Sequence, residues 1–333
     1  MKKVLAALIV LAVAGVAAAL LSWRQYQAFL EQPLAIAPPG SVLTVPAGAS
    51  GGQIVALLDR EGMTRAGWPW RLLMRLEPHV YRAGEFRLEA GMTPRQVLEK
   101  LASGNVVQYR FTAVEGWTFR QLAAALAQDD ILVQTMDLEA ATETERLIEE
   151  LGIEHPEGWF LPETYQFTRG DSDRDLLDRM HTAMKDALAQ SWESREANLP
   201  LETPYELLVL ASIIEKETAI ADERSQIAGV FIRRLRKGMR LQTDPTVIYG
   251  MGEAFDGDIR SRDLKTDTPY NTYTRHGLPP TPIALPGRAA LSAAAQPAAG
   301  DALYFVADGE GGHTFSATLE EHQAAVRKLL GKN

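Results

Sequence analysis

An uncharged run from Val4 to Trp23, VLAALIVLAVAGVAAALLSW, follows Met1, Lys2 and Lys3 and constrains this chain more than any other stretch. At about 1.5 Å of rise per helical residue, a run of that length reaches about 30 Å, the thickness of a bilayer's hydrocarbon core. The two lysines favour a cytoplasmic N-terminus and Trp23 suits the far interface, so the rest of the chain is expected outside the cytoplasm. A cleavable signal peptide competes, because Ala17, Ala18 and Ala19 offer a small-residue cleavage site. The uncleaved anchor is preferred, since the apolar run continues to Leu21 with no polar segment before such a site.

The remaining length, within 333 residues, allows two or more domains. The absence of cysteine excludes a disulfide framework, a zinc-thiolate site and a cysteine nucleophile. A net charge of -9, with no stretch interleaving basic and aromatic residues, argues against nucleic acid as a partner. The organisation expected is α+β, with residues 1–25 as cytoplasmic start and transmembrane anchor and 26–40 as a stalk broken by Pro33, Pro38 and Pro39. One small α+β region then covers 41–110, a second with a connector covers 111–154, and a mixed domain covers 155–333.

A short pattern recurs in VPAGASGGQIVALL at Val45, LEAGMTPRQVLEKL at Leu88 and AVEGWTFRQLAAAL at Ala113. Each copy has strand-forming residues, a glycine turn, a Ser or Thr able to cap a helix, and an apolar-periodic helix with Gln in its first turn. Region 41–110, with LTVPAG leading into a helix and GEFRLEAGMT returning as a strand, resembles a LysM-like module of the kind that holds glycan chains. The acidic stretch from Asp129 to Ile153, with Glu139, Glu143, Glu145, Glu149 and Glu150, reads as solvated helical surface.

Chemistry enters at LLVLASIIEKETAIADER, Leu207 to Arg224. On a helical wheel Leu207, Leu210, Ile213, Ile214, Glu217, Ile220 and Ala221 share one face, and Glu215 points away. A carboxylate on an apolar face must be paired, or have its pKa raised until it holds a proton near neutral pH, as a general acid does. A partly exposed glutamate tied to a cation is the alternative. Downstream, Arg233, Arg234, Arg236, Lys237 and Arg240 read as mostly outward. Three turn-rich segments, at 241–250, 269–287 and 303–322, suggest a cleft. In them Gln242, Thr243, Asp244, Asn271, Thr272, Tyr273 and His313 offer hydrogen bonds suited to carbohydrate, and Tyr249, Tyr270 and Tyr273 offer ring faces. Each taken singly serves equally well as a turn cap. Glu157 to Phe167, EGWFLPETYQF, reads as either an aromatic core strand or a sugar-binding edge.

Other chemistries find little support. The six histidines lack metal-ligand spacing, Ser212 lies inside a helix with no nucleophile elbow, and GEGGH at 309–313 lacks the features of a phosphate loop. No metal or cofactor is expected.

Together ASIIEKET at Ala211, LRKGMRLQTDPTVIYGMG at Leu235, YNTYTRHGLPPTPIALPG at Tyr270 and ALYFVADGEGGHTF at Ala302 resemble the YceG-like, or MltG-type, endolytic murein transglycosylases of bacteria. EGWFLPETYQF, the apolar N-terminus and the LysM-like region agree in order and spacing. The resemblance implies one catalytic glutamate, the second Glu of E-K-E, which is Glu217 here. It further implies cleavage of the MurNAc-β-1,4-GlcNAc bond within glycan strands, leaving 1,6-anhydroMurNAc ends without consuming water. The implied setting is the bacterial inner membrane, with one anchor, the bulk in the periplasm, and peptidoglycan synthases nearby. A hydrolytic murein glycosidase pairing Glu217 with Asp244 or Glu163, and a non-enzymatic membrane-anchored glycan-binding scaffold, are the rival readings.

Overall fold

A computed structural model describes residues 2–138 and 140–331. Met1 of the anchor, Glu139 of the acidic stretch and the last two residues lie outside the described residues. The chain forms two compact units, one of residues 1–109 with 167–170 and the other of 110–166 with 171–333. Both are mixed α+β, and the first opens with one N-terminal apolar helix, as the sequence leads one to expect.

In the first unit helix α1 (Lys2–Glu31) runs without a break. Its apolar residues up to Trp23 are bare, which suits lipid better than water. Its last turns behave differently, because Tyr26 and Leu30 are buried in the unit's core beside Leu34 and Ile36. Residues 26–40 are therefore held by packing, since their apolar side chains have a core to enter.

Strand β1 (Ser41–Val45), helix α2 (Gly51–Arg60), helix α3 (Trp68–Leu76) and strand β2 (Gly84–Leu88) follow in βααβ order. The strands pair antiparallel with Leu43 opposite Phe86, and both side chains are buried. Helix α4 (Pro94–Ser103) completes this core with Val97, Leu98 and Leu101. Glu85 is buried on β2, yet its carboxyl is held below the usual range. Burial pushes it up, but the Tyr109 hydroxyl at 2.7 Å and Arg169 at 2.6 Å outweigh that.

Strand β3 (Tyr109–Thr112) leads to helix α5 (Phe119–Ala127), and after helix α6 (Ala141–Leu151) strand β4 (Thr164–Phe167) pairs with β3. The recurring sequence pattern has one physical outcome. In all three copies a strand reaches a turn glycine at positive φ, Gly48, Gly91 or Gly116, and a helix begins behind a complete capping box. Ser50, Thr93 and Thr118 accept from the third helical N–H. Gln53, Gln96 and Gln121 accept in return from the cap N–H at 2.8, 2.9 and 2.9 Å.

The second unit continues with helices α7 (Asp173–Glu193), α8 (Pro204–Glu217), α9 (Ala221–Arg236), α10 (Asp244–Met251) and α11 (Arg288–Ala295). Hairpin strands β5 (Tyr304–Ala307) and β6 (His313–Ser316) and helix α12 (Leu319–Leu330) close it. Helix α8 is its centre. Every residue from Leu207 to Ile214 is buried, with α7, α9, α10 and α11 around it. A helix that is apolar on all sides demands such wrapping.

Replacing Thr118 by Ala should destabilise the second unit by about 1 kcal/mol, because the third helical N–H of α5 loses its acceptor. Thr118→Ser should cost little. Chemical denaturation of the two variants beside the wild type measures both.

Candidate active site

Helix α8 ends at Glu217. Thr218 turns extended, at φ -148° and ψ 136°, and α9 begins three residues later. The continuous helix read from Leu207 to Arg224 is thus two helices, and Ile220 lies outside the apolar face assigned to it, 37% exposed. The break has a chemical consequence, since it leaves the Glu217 side chain where the core helix runs out into a cleft.

That cleft, of about 400 Å³, is lined by Glu217, by Arg234 of α9, by Gln242, Thr243 and Asp244 at the start of α10, by Tyr273, by the β5–β6 hairpin and by His322 of α12. Burial pushes the Glu217 carboxyl up to about 7, and the nearby charge of Asp244 acts in the same direction. The negative end of the α8 dipole also disfavours a carboxylate there. The Thr243 hydroxyl, which donates to Glu217 Oε1, and the more distant His313 and Arg234 pull the other way. Glu217 therefore holds a proton near neutral pH and shares the cleft with groups that can receive a ligand.

Thr243 is fixed by a buried hydroxyl cluster. Its N–H donates to Thr272 Oγ1 at 3.1 Å, its carbonyl accepts from Thr246 at 2.7 Å, and the Thr246 and Thr272 hydroxyls are 2.8 Å apart. Gln242, just before it, takes the left-handed conformation at φ 51°, strain for a non-glycine residue that turns the chain at the cleft edge. Tyr273 donates to Asp244 Oδ1 at 2.5 Å. On the hairpin, His313 is gripped by Glu223, whose carboxylate takes the ring Nδ1 at 2.7 Å and the backbone N–H at 2.8 Å. Glu223 also accepts from Thr218, the residue after Glu217, at 3.2 Å. Burial raises the Glu223 carboxyl, but these His313 bonds leave it below its usual range.

Of the residues singled out in the sequence, Glu217, Gln242, Thr243, Asp244, Tyr273 and His313 come together in this cleft. Five others, Tyr270 among them, do not line it. Thr272 lies behind Thr243. Asn271 is buried, with its amide on the carbonyls of Asp263, Leu264 and Thr266 and its oxygen on the Tyr273 N–H, so it staples a loop. Tyr249 donates to Glu157 at 3.1 Å and packs edge-on to Tyr270. Glu163 pairs with Arg288 at 2.6 Å on an exposed surface.

Glu215 is a support. Its carboxylate accepts from the Gly287 N–H, at the start of α11, at 2.9 Å and lies 3.7 Å from Arg224. A Cβ at Gly287 would sit 2.0 Å from the Glu115 carboxylate, so any side chain there would require the Glu115 side chain to move aside.

Sequence reading missed Arg234, Tyr304 and His322. Arg234 is buried, not outward, since its guanidinium straps the Leu303 and Leu241 carbonyls at 2.6 and 2.7 Å and lies over the Tyr304 ring. His322 stacks on that same Tyr304 ring, with centroids 5.2 Å apart. The alternation of charge along α9 carried no mark distinguishing Arg234 from its exposed neighbours.

Glu157 is a second buried carboxyl pushed up to about 7 by burial, against the bonds it accepts from Phe119 N–H and Tyr249. It lies outside the cleft lining and caps α5, so a raised pKa alone does not select the site. Among the described residues no cluster of His, Asp and Glu suited to a metal occurs.

The raised Glu217 pKa links stability to pH. From the ordinary 4.5 of the unfolded chain up to about 7, the folded chain binds the extra proton, so stability falls as pH rises through that window. Glu217→Gln should therefore be more stable than the wild type at pH 8 by about 1–3 kcal/mol and lose that advantage below the unfolded pKa. Denaturation midpoints at the two pH values check this.

Comparison with known proteins places the chain in a family. The model of the YceG-like family matches residues 43–328. An endolytic murein transglycosylase of Bacillus subtilis is 31% identical over 306 residues, covering 86% of this chain and 84% of its own. One from Streptococcus pneumoniae is 28% identical over 310 residues, covering 83% of this chain and 56% of its own, so this chain spans little more than half that relative's length. The crystal structure of a YceG-like protein of Listeria monocytogenes superposes with a TM-score of 0.56 at 30% identity, covering 86% of this chain and 99% of that one. The chain belongs to the YceG-like family.

Proposed function

We propose that this protein is an endolytic murein transglycosylase that cleaves the MurNAc-β-1,4-GlcNAc bond of peptidoglycan, with Glu217 as general acid and then general base. The observation that carries the reading is the Glu217 carboxyl, protonated near neutral pH at the end of α8 and lining a cleft of hydrogen-bonding and aromatic groups. Relatives named for that activity support it.

In this mechanism Glu217 gives its proton to the glycosidic oxygen as the bond from C1 breaks and positive charge develops on the sugar. The resulting carboxylate accepts the proton of the muramic 6-hydroxyl while that oxygen bonds to C1. The products are a free 4-hydroxyl on GlcNAc and a 1,6-anhydro ring, with Glu217 reprotonated and no water consumed. Thr243 orients the carboxyl and supports its anionic state between the two steps. Gln242, Asp244, Tyr273 and His313 bind sugar, while Asn271, Thr272 and Tyr249 act through the residues they hold. Exposed Glu163, occupied by Arg288, is left with no part in the reaction.

A hydrolase would need a second carboxylate to activate water. Asp244 lines the same cleft and is the only observation favouring that rival, although its carboxylate is engaged by Tyr273. The βααβ order of 41–88 supports the LysM-like reading of the first unit and a role for it in holding glycan. The bare N-terminal helix supports single-pass anchoring, with the bulk on the periplasmic side of the inner membrane, near peptidoglycan synthases.

Mass analysis of products from purified peptidoglycan tests the reaction. The wild type should yield 1,6-anhydroMurNAc ends, and Glu217→Gln should lose at least about a hundredfold in rate while still binding glycan. Ends that have gained water would overturn the transglycosylase reading. The rate should also fall as pH rises through about 7, where Glu217 loses its proton.

A further inference from the structure

The continuity of α1 fixes where the first unit stands relative to a bilayer. Resting on the anchoring reading above, the apolar span ends at Trp23, and Tyr26, three residues on in the same unbroken helix, is about 4.5 Å further along its axis. A headgroup layer is about 5–7 Å deep on each side of the hydrocarbon core, so Tyr26 lies at headgroup depth. Tyr26 is also buried in the unit's core, so no free joint separates anchor from unit.

One face of α3 is brought to that level. The Trp68 ring centroid is 6.4 Å from that of Tyr26, and the Trp23 ring centroid is 5.7 Å from it. Trp68 is 38% exposed and Trp23 53%, whereas Trp70, two residues along α3, is 1% exposed and serves the core. Arg71 falls one turn from Trp68 on the same exposed face, and Arg24 follows Trp23 on α1. Neither arginine has a carboxylate partner among the described residues, and Glu77, at the end of α3, is taken by Arg95 at 2.6 Å. Amphipathic aromatic rings beside unpaired arginines suit the boundary of acyl chains and anionic phosphates.

We infer that Trp68 and Arg71, with Trp23 and Arg24, form a second membrane contact that seats the first unit on the anionic phospholipid surface from which α1 emerges. The indoles enter the boundary between headgroups and acyl chains, and the two guanidinium groups hold lipid phosphates. The anchor then sets not only the tether but the height and tilt of the unit.

Because the chain has no cysteine, one can be introduced cleanly. The full-length Arg71→Cys and Trp68→Cys proteins, labelled with an environment-sensitive fluorophore, would be reconstituted in vesicles of phosphatidylcholine and phosphatidylglycerol. A lipid nitroxide at shallow depth should quench either label to about half its intensity, while aqueous iodide should quench it poorly. Arg71 is exposed and its variant spares the Tyr26 contact, so it remains informative if Trp68→Cys fails to fold. Co-flotation with quenching by iodide and not by lipid would overturn this contact and leave the anchoring reading intact. Failure to float with the vesicles would overturn both.

Discussion

The candidate site depends on the complete burial of α8. Eight consecutive buried residues commit the helix to the centre of the second unit, and the four helices around it leave only its two ends free to meet solvent. A glutamate on the last turn of such a helix is caught between a core that rejects its charge and a cleft that accepts its polarity. The negative end of the helix dipole adds to that rejection. Proton affinity near neutral pH follows from the position, and the neighbouring groups modulate it.

The walls of the cleft are held by parts of the chain distant in sequence. Buried hydroxyls of Thr246 and Thr272 set Thr243 against Glu217, and Glu223 ties the residue after Glu217 to the β5–β6 hairpin through His313. Arg234 straps Leu303, the residue leading into that hairpin, to the segment before α10. Each link joins a wall of the cleft to α8 or α9, the two helices flanking the break at Thr218. Glu157 shows what the same burial does without a cleft: its carboxyl is raised as far, yet its oxygens are spent on a helix cap and a tyrosine.

Much of this was legible in the chain, for physical reasons that differ from place to place. The three capped units could be read because a capping box is local, needing only a Ser or Thr and a Gln at fixed spacing. Glu217 drew notice because a charge inside an apolar period is conspicuous, even though the wheel overran the end of the helix, and only the family resemblance singled it out as the candidate acid. Asn271, Thr272 and Tyr249 looked like ligand groups because polarity in a turn-rich segment does not reveal whether a side chain faces a cleft or braces its wall. Arg234 was hidden for the complementary reason, that its burial comes from carbonyls on loops 69 and 7 residues away. The packing of residues 26–40 was equally invisible, since prolines mark a break in a helix and say nothing of the core beyond it.

The central claim is that Glu217 carries a proton at neutral pH because of where α8 ends. Titration of the glutamate side-chain carboxyl carbons, isotopically labelled, with the Glu217 signal assigned by its loss in Glu217→Gln, measures this directly. A midpoint near 7 is expected. A midpoint at the ordinary 4.5 would mean that the carboxyl is ionised at neutral pH, and Glu217 could not then be the proton donor.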